Sequence, residues 1–215
     1  MRIFLTGASG FIGGSVATRL VQDGATVNGL VRDATKADMV RHFGITPIIG
    51  TLDDTDLLIR EARAADAVIN AASSDHREAA NALGLALSGT GKPMIHTSGS
   101  SIVADEANGE PSKRVYSEQP LPIPEPEKEA RVALDKAVLN AVRVRGIVLC
   151  NSLIYGDALG PTAYNVQLPR LIDEALESGT AHFIGRGLNM WSNVSITHLP
   201  QVDDETQDVA LVDID

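Results

Sequence analysis

Three regularly spaced glycines are the residues of this chain that most clearly indicate a binding site. Gly7, Gly10 and Gly13 follow an apolar run at residues 2–5 and precede a segment with helical spacing. Gly7 would let the chain leave a strand in a tight turn, Gly10 would let a pyrophosphate approach the backbone, and Gly13 would let helix and strand pack closely. A helix N-terminus also attracts phosphate through its free N–H groups. A glycine-rich turn without a ligand is the alternative, but the flanking strand and helix favour a dinucleotide site formed by Thr6, Gly7, Ser9, Gly10, Phe11, Ile12 and Gly13.

A basic residue stands where the second strand of such a fold ends. Residues 26–31 form the second apolar run, and Arg32 and Asp33 follow it. At this place an acidic side chain accepts a hydrogen bond from the 2′-hydroxyl of NAD, whereas an arginine meets the 2′-phosphate of NADP. Arg32 comes first and is always charged, so the sequence predicts NADP(H). Two alternatives stay open: Arg32 pairs only with Asp33 or a helix carboxylate, or Asp33 selects NAD.

Short apolar runs alternate with helical segments along most of the chain. The runs lie at residues 2–5, 26–31, 47–49, 67–70, 93–96 and 147–149. This rhythm predicts an α/β fold with a Rossmann-type, doubly wound parallel sheet, and helical stripes such as Leu134, Val138, Ala141 and Val142 would cover it. We therefore expect a nucleotide-binding core at residues 1–150, a partial substrate-binding region at 151–200 and an acidic tail at 201–215.

Two segments depart from this rhythm. Residues 99–126 contain five prolines, mostly at alternating positions, which favour an extended path and a lid or substrate loop. Residues 201–215 carry six acidic residues and no lysine or arginine, which predicts a solvated tail.

Composition excludes several classes of protein. The chain of 215 residues is 44% hydrophobic and 21% charged, as expected for one main folded domain. Its net charge of −10 disfavours nucleic-acid binding, and its single cysteine, Cys150, excludes an internal disulfide. Without a long apolar run or signal sequence, we expect a cytoplasmic protein, a monomer or homodimer, that acts on a small molecule and not at a membrane. The histidines show no metal-binding spacing, so no metal is predicted.

Several ordered motifs resemble the extended and atypical short-chain dehydrogenases/reductases, including the NAD-dependent epimerases/dehydratases. TGASGFIG at 6–13 is similar to the family's TGxxGxxG, VINAA at 68–72 to the strand that backs the cofactor, and LIYG at 153–156 to the turn near the nicotinamide. HTSGS at 96–100 resembles the serine-bearing end of strand five, while GTL at 50–52 replaces the usual GDL. The resemblance covers about the first 190 residues. It implies further cofactor contacts from Leu52, Asp53, Ala71, Ala72 and Thr97.

The family's catalytic pair, Tyr-x-x-x-Lys, is absent. Proline or leucine follows each of the three tyrosines at the fourth place. The family alignment puts Glu127 at the tyrosine position and Arg131 at the lysine position, similar to an atypical subgroup with His-x-x-x-Arg. The resemblance implies that Arg131 holds the nicotinamide ribose. Glu127 is a second catalytic candidate, but we expect it to contribute little, because pairing with Arg131 would lower its pKa and make it a poor acid. An ordinary helix ion pair is the alternative.

The catalytic serine of the family is also displaced. Gly99 aligns with it, so Ser98 and Ser100 become the catalytic candidates, with turn-forming hydroxyls as the alternative. Ligands of open α/β sheets bind beyond the carboxyl ends of the strands, which predicts substrate contacts from Ser74, Asn151, Tyr155 and Asn165. The sequence ends where relatives add further helices, and we expect a shortened C-terminal region to leave the substrate pocket partly open.

These observations predict an NADP(H)-dependent oxidoreductase that acts on a carbonyl or alcohol of a small organic substrate. The cofactor would supply the hydride chemistry. A sugar-nucleotide epimerase or dehydratase is one alternative. A non-catalytic NADP-binding sensor is the other, favoured by the missing catalytic pair and disfavoured by the serine-rich turn.

Overall fold

The apolar runs form the strands of one parallel sheet in the computed structural model, which describes residues 1–117, 123–198 and 209–211. Six strands take the order β3-β2-β1-β4-β5-β6, and each pairs in parallel with its neighbours. This order confirms the predicted Rossmann-type sheet. The strands are β1 (Arg2–Thr6), β2 (Thr26–Val31), β3 (Thr46–Ile49), β4 (Ala67–Asn70), β5 (Pro93–Gly99) and β6 (Arg145–Asn151).

Helices cover both faces of the sheet. Successive strand residues point to opposite faces, so Ile3 and Leu5 pack in one apolar cluster and Phe4 in the other. The first cluster lies under α1 and α2, and the second under α3, α4 and α5. Each fully buried aliphatic or aromatic side chain stabilises the fold by roughly 1.5–3 kcal/mol. The helices are α1 (Phe11–Gln22), α2 (Ala34–Arg41), α3 (Thr55–Ala64), α4 (Arg77–Leu87) and α5 (Glu129–Leu139).

Helix α5 is shorter than its apolar stripe predicted. Leu134 and Val138 are buried on it, but the helix ends at Leu139. Ala141 and Val142 instead belong to the turn before β6, where the N–H of Ala141 donates to the carbonyl of Val138. The short turn is required because β6 must start beside β5 in the parallel sheet.

The chain after β6 builds a smaller layer. Strands β7 (Leu153–Tyr155) and β8 (Asn193–Ser195) pair in parallel, and helix α6 (Gln167–Ser178) lies between them in sequence. A further strand, β9 (Val209–Leu211), pairs in parallel with β6 and extends the main sheet. The predicted acidic tail therefore contains one strand; residues 201–208 and 212–215 lie outside the described part of the chain.

The proline-containing segment after β5 lies beside the carboxyl ends of the strands. A 3₁₀ turn spans Ser100–Val103, and residues 104–117 contain neither helix nor strand. Pro120 and Pro122 fall outside the described residues. Arg186 holds this segment through two bonds to the Glu110 carboxylate, at 2.9 and 2.8 Å, and the N–H of Leu188 donates to Gly109. Among the helices of the described residues, none is long and apolar enough to cross a membrane.

Candidate functional site

The glycine turn between β1 and α1 is shaped by two close backbone approaches. Gly7 has φ +77°, and a Cβ there would lie 2.7 Å from the carbonyl oxygen of Ala71. A Cβ on Gly13 would lie 2.4 Å from the carbonyl oxygen of Gly7. Both positions therefore exclude a side chain. Gly10 differs, because its nearest neighbour would be 3.2 Å away and the space beside it is otherwise open.

Helix α1 begins at this turn with uncapped N–H groups. Gly10 is its N-cap residue, no side chain caps it, and no acidic residue occupies its first turn. The first N–H groups of a helix have no intrahelical partner and attract a phosphate. The open space at Gly10 and the free helix end thus fit the pyrophosphate of a dinucleotide.

Thr6 was expected to contact the cofactor, but its side chain serves another purpose. It is fully buried, and its hydroxyl donates to Oδ1 of Asn70 at 2.6 Å. The amide of Asn70 in turn lies 3.0 Å from Nδ1 of His96, which is also fully buried. Thr6 therefore ties the carboxyl ends of β1, β4 and β5 together instead of facing the cofactor.

A cavity of about 570 Å³ opens at this edge of the sheet. It joins the glycine turn to the ends of β4, β5 and β6, and it brings together the predicted Ser98, Ser100, Arg131, Asn151 and Asn165. The remaining lining residues are Gly10, Phe11, Ile12, Gly13, Ala71, Gly99, Ser101, Ser152, Leu153, Ile154, Val166, Gln167 and Trp191. No tyrosine lines this cavity within the described residues.

Arg131 is fixed at the cavity by an ion pair that the sequence did not predict. Its Nε and Nη2 donate to the two carboxylate oxygens of Asp75 at 2.8 and 2.6 Å, and Nη1 donates to Oγ of Ser101 at 3.1 Å. The hydrogen bond from Arg131 lowers the pKa of Asp75 and raises that of Arg131 itself. A guanidinium has five N–H groups, so two remain for a ligand such as a ribose hydroxyl.

Glu127 does not pair with Arg131 as expected. It lies in a 3₁₀ turn, Pro126–Lys128, before α5 begins, and its carboxylate is 3.2 Å from Nζ of Lys128. The side chain is exposed and does not line the cavity. The expected pairing fails because helix α5 starts only at Glu129, so Glu127 and Arg131 are not on successive turns of one helix.

Ser98 reaches a buried carboxylate that also escaped the sequence analysis. Its Oγ donates to Oδ2 of Asp135 at 2.7 Å, and Asp135 is only 2% exposed. Burial raises the pKa of Asp135 to about 6, against the opposing effects of Ser98 and Arg131. Burial likewise lowers the pKa of His96, whose Nε2 lies 3.6 Å from Oδ1 of Asp135. An acidic residue within the apolar stripe of α5 was the available signal for Asp135, whereas nothing in the spacing indicated the ion pair of Asp75.

The predicted substrate residues differ in their hydrogen bonds and in whether they line the cavity. Both polar atoms of the Asn151 side chain are buried without a hydrogen-bond partner, and the residue lines the cavity. Asn165 instead donates to the carbonyl of Ile154 and accepts from the N–H of Leu168 at 3.1 Å. Tyr155 and Ser74 do not line the cavity.

The residues predicted at the adenosine end lie on three neighbouring loops. Arg32 is exposed and has no ion pair within residues 1–117 and 123–198. The Asp33 carboxylate caps α2, accepting from the N–H of Lys36 at 2.8 Å. Asp53 lies 3.1 Å from Nε2 of His76. Ala72 is exposed and Leu52 is half-buried, while Thr97 is on the opposite face of β5 from Ser98 and outside the cavity.

Segment 157–162 lies across the start of α1. The hydroxyl of Thr162 donates to the carbonyl of Ser9 at 2.6 Å, and the N–H of Leu159 donates to Oγ of Ser15 at 3.2 Å. The Ser9 backbone thus anchors the segment after β7 to the glycine turn.

Comparison with known proteins agrees with this geometry. The profile of the NAD(P)H-binding family matches residues 7–149. An uncharacterized protein of Schizosaccharomyces pombe, C2A9.02, is 36% identical over 92% of this chain and 67% of its own length. Oxidase ucsJ of Acremonium sp is 33% identical over 94% of this chain and 64% of its own. Vestitone reductase from alfalfa (Medicago sativa L.) superposes with a TM-score of 0.67 at 19% identity, covering 97% of this chain and 74% of that one.

The chain belongs to the NAD(P)H-binding family. It has the Rossmann-type cofactor domain of that family, and it spans about two thirds of the length of these curated relatives.

Gly10→Val should weaken NAD(P)H binding at least about tenfold, a loss of about 1.4 kcal/mol. The branched side chain would enter the open space at the start of α1, where the pyrophosphate is expected, and its one close contact would be the carbonyl oxygen of Gly7, 3.2 Å from the Cβ. Isothermal titration measures the affinity, and Gly84→Val on α4 is the matched control. Equal affinities of the two folded variants and the wild type would remove the proposed phosphate site.

Arg131→Ala should weaken cofactor binding by about 1.5–3 kcal/mol, because it removes charge-assisted hydrogen bonds at the cavity. Glu127→Gln should leave binding unchanged, since Glu127 is exposed and outside the cavity. Fluorescence titration with reduced cofactor compares the two variants. If Glu127→Gln impaired binding as much as Arg131→Ala, the cofactor would not bind at this cavity as proposed.

The contribution of Asp135 to the free energy of unfolding should decrease as the pH rises from about 4 to about 6. Its folded pKa of about 6 exceeds the ordinary 3.8, so its contribution to stability is full below the unfolded value and is lost as the pH rises through the folded value. The difference corresponds to at most about 3 kcal/mol. Urea unfolding of the wild type and Asp135→Asn across this range measures it. A constant difference between the two proteins would contradict the raised pKa.

Proposed function

We propose that the protein is an NADP(H)-dependent oxidoreductase that transfers hydride between the nicotinamide and a carbonyl or alcohol carbon of a small organic molecule. One observation carries this proposal: the cavity at the strand ends joins the glycine turn to Arg131, Ser98 and the unpartnered amide of Asn151. The nicotinamide, when bound, supplies or accepts the hydride. The protein's part is to hold the reacting molecules together and to stabilise the charge that develops.

Arg131 is suited to bind the nicotinamide ribose. Asp75 and Ser101 fix the guanidinium, which leaves two N–H groups for the two ribose hydroxyls. Such preorganisation lowers the entropic cost of binding. A lysine has a single ammonium group and could not form the same bidentate contact with Asp75. An arginine can form this contact and keep N–H groups for the ribose, so it is suited to the position of the family's lysine.

The preference for NADP rests on the different roles of Arg32 and Asp33. The Asp33 carboxylate caps helix α2, whereas the Arg32 guanidinium is exposed and has no ion pair in the described ranges 1–117 and 123–198. The alternative in which these two residues merely neutralise each other is thereby disfavoured. An arginine suits the 2′-phosphate through a charge-assisted contact.

The substrate region is proposed to comprise residues 151–200 together with the proline-containing segment. A second cavity of about 640 Å³ shares Ser100 and Trp191 with the first and lies between residues 100–116 and 184–192. Apolar side chains, Val103, Ile184 and Met190, line it beside the polar Tyr116 and Arg114. This mixed lining is suited to an organic molecule with an apolar body and polar substituents.

A non-catalytic NADP-binding sensor is the second candidate, because no tyrosine lines the cavity within the described residues. The two functions differ in turnover. We expect the protein to bind NADPH, measured by fluorescence titration, and to oxidise it in the presence of aldehydes or ketones of increasing size. Tight binding without turnover across aliphatic, aromatic and cyclic carbonyl compounds would favour the sensor.

Arg32→Ala should weaken NADPH binding at least about tenfold while leaving NADH binding almost unchanged, since only NADPH carries the 2′-phosphate. The exposed Arg41→Ala on α2 is the control for a general loss of positive charge. Titration of each variant with both cofactors gives the ratio of affinities. An equal loss for both cofactors, or tighter NADH binding by the wild type, would refute the proposed discrimination.

A further inference from the structure

The reduction proposed above needs a proton donor, and the described cavity offers no tyrosine for this task. Building on that proposed function, we infer that Ser98 delivers the proton to the substrate oxygen and that Asp135 supplies it through their hydrogen bond. Ser98 would be the catalytic residue, and Asp135 would act through it.

Ser98 has access to both the cavity and the buried carboxylate. It is the penultimate residue of β5, its side chain lines the cavity, and the residue is only 6% exposed. Its Oγ lies 2.7 Å from Oδ2 of Asp135. A hydroxyl has one proton to donate. While Asp135 is ionised, this proton is engaged by the carboxylate; when Asp135 is protonated, Ser98 can accept from it and donate into the cavity.

The surroundings of Asp135 keep its two protonation states close in free energy near neutral pH. His96 on β5 approaches Oδ1, and Asn70 faces the other ring nitrogen, Nδ1. If the Asn70 amide donates there, as the bond from Thr6 to its carbonyl oxygen requires, the ring carries its proton on Nε2. The 3.6 Å from this nitrogen to Asp135 is too long for a hydrogen bond.

Other titratable groups near Asp135 act in opposing directions. Arg131, one turn earlier on α5, favours the carboxylate, whereas Asp75 in the loop before α4 disfavours it. Cys150 on β6 is registered beside Ser98 and belongs to the apolar cluster under α3, α4 and α5. Burial outweighs these influences and raises the pKa of Asp135 to about 6, a value suited to proton transfer near neutral pH.

The step is balanced. In the reducing direction the carbonyl carbon gains the hydride from the reduced nicotinamide, and the C=O double bond becomes a C–O single bond. The oxygen takes the proton from Ser98, which recovers one from the carboxylic acid of Asp135. The carboxylate regains its proton from water through Ser98 after the alcohol leaves. Oxidation runs the same transfers backward, with the ionised carboxylate as the final acceptor.

The other polar groups of the site are less suited to this role. Ser101 accepts a hydrogen bond from Arg131, which positions it within the cofactor-holding group. Glu127 is exposed and outside the cavity. Asn151 lines the cavity, but its buried amide does not release a proton near neutral pH.

The test compares the wild type with Asp135→Asn and Ser98→Ala, with the exposed Asp56→Asn on α3 as the control. Each protein is titrated with NADPH, and turnover of a carbonyl compound accepted by the wild type is then measured against pH in both directions. Asp135→Asn keeps the size of the side chain but cannot supply a proton. We expect kcat of both site variants to fall about 100-fold, with the affinity for NADPH unchanged.

The pH profiles separate proton supply from a structural role. In the wild type, kcat for reduction should fall and kcat for oxidation should rise as the pH increases through about 6; both dependences should vanish in Asp135→Asn. The double variant should be no slower than either single variant, because the two groups act as one unit. Infrared difference spectra of the wild type and Asp135→Asn should show the protonated carboxyl disappearing over the same pH range.

Retained kcat and an unchanged pH profile in Asp135→Asn would overturn the inference while leaving the proposed function intact. If Asp135→Asn lowered kcat equally at every pH and kept the pH dependence, the inference would also fail, because Asp135 would then have a structural role. If the wild type binds NADPH but reduces no carbonyl compound, the proposed function itself fails, and the infrared titration still decides whether Asp135 takes up a proton in this range.

Discussion

A row of buried polar side chains joins the carboxyl ends of the central strands to helix α5. Thr6, Asn70 and His96 are hydrogen-bonded in sequence across β1, β4 and β5, and Ser98 on β5 forms a separate hydrogen bond to Asp135 on α5. An unsatisfied buried polar group costs about 1–3 kcal/mol, so these partners hold one another in place. The same pairing positions Ser98 at the cavity. The packing of the core and the geometry of the site therefore depend on two adjacent groups of hydrogen bonds, which His96 and Ser98 on β5 place side by side.

The ion pair of Arg131 and Asp75 completes the site from the other side. It links α5 to the loop after β4, and Ser101 adds a third contact. In the proposed function this fixed guanidinium lies at the nicotinamide end of the cofactor, where its two remaining N–H groups would meet the ribose hydroxyls. In the proposed function, Arg131 takes the place of the lysine of the missing catalytic pair. The tyrosine hydroxyl of that pair has no counterpart on α5. The proposed proton transfer therefore uses the hydroxyl of Ser98.

The part of the chain that we propose as the substrate side is attached to this frame by a few specific contacts. Thr162 bonds to the glycine turn, and the ion pair between Glu110 and Arg186 holds the proline-containing segment against residues 184–188. Few apolar side chains of this layer are buried, and α6 has no buried residue. The cofactor side thus has the larger core and the substrate side the weaker attachment, as expected where a ligand must enter and leave.

The sequence by itself indicated the parallel sheet and the glycine turn, because these depend on local periodicity and on residue types at short spacing. Arg131 was singled out by the resemblance to a known family. It could not determine the partner of Arg131. Asp75 is 56 positions away, and the apparent local partner, Glu127, lies before the helix begins. The raised pKa of Asp135 was equally out of reach, since it follows from burial against β5. Only the folded sheet brings such distant groups into one low-dielectric space, where contact and desolvation decide their chemistry.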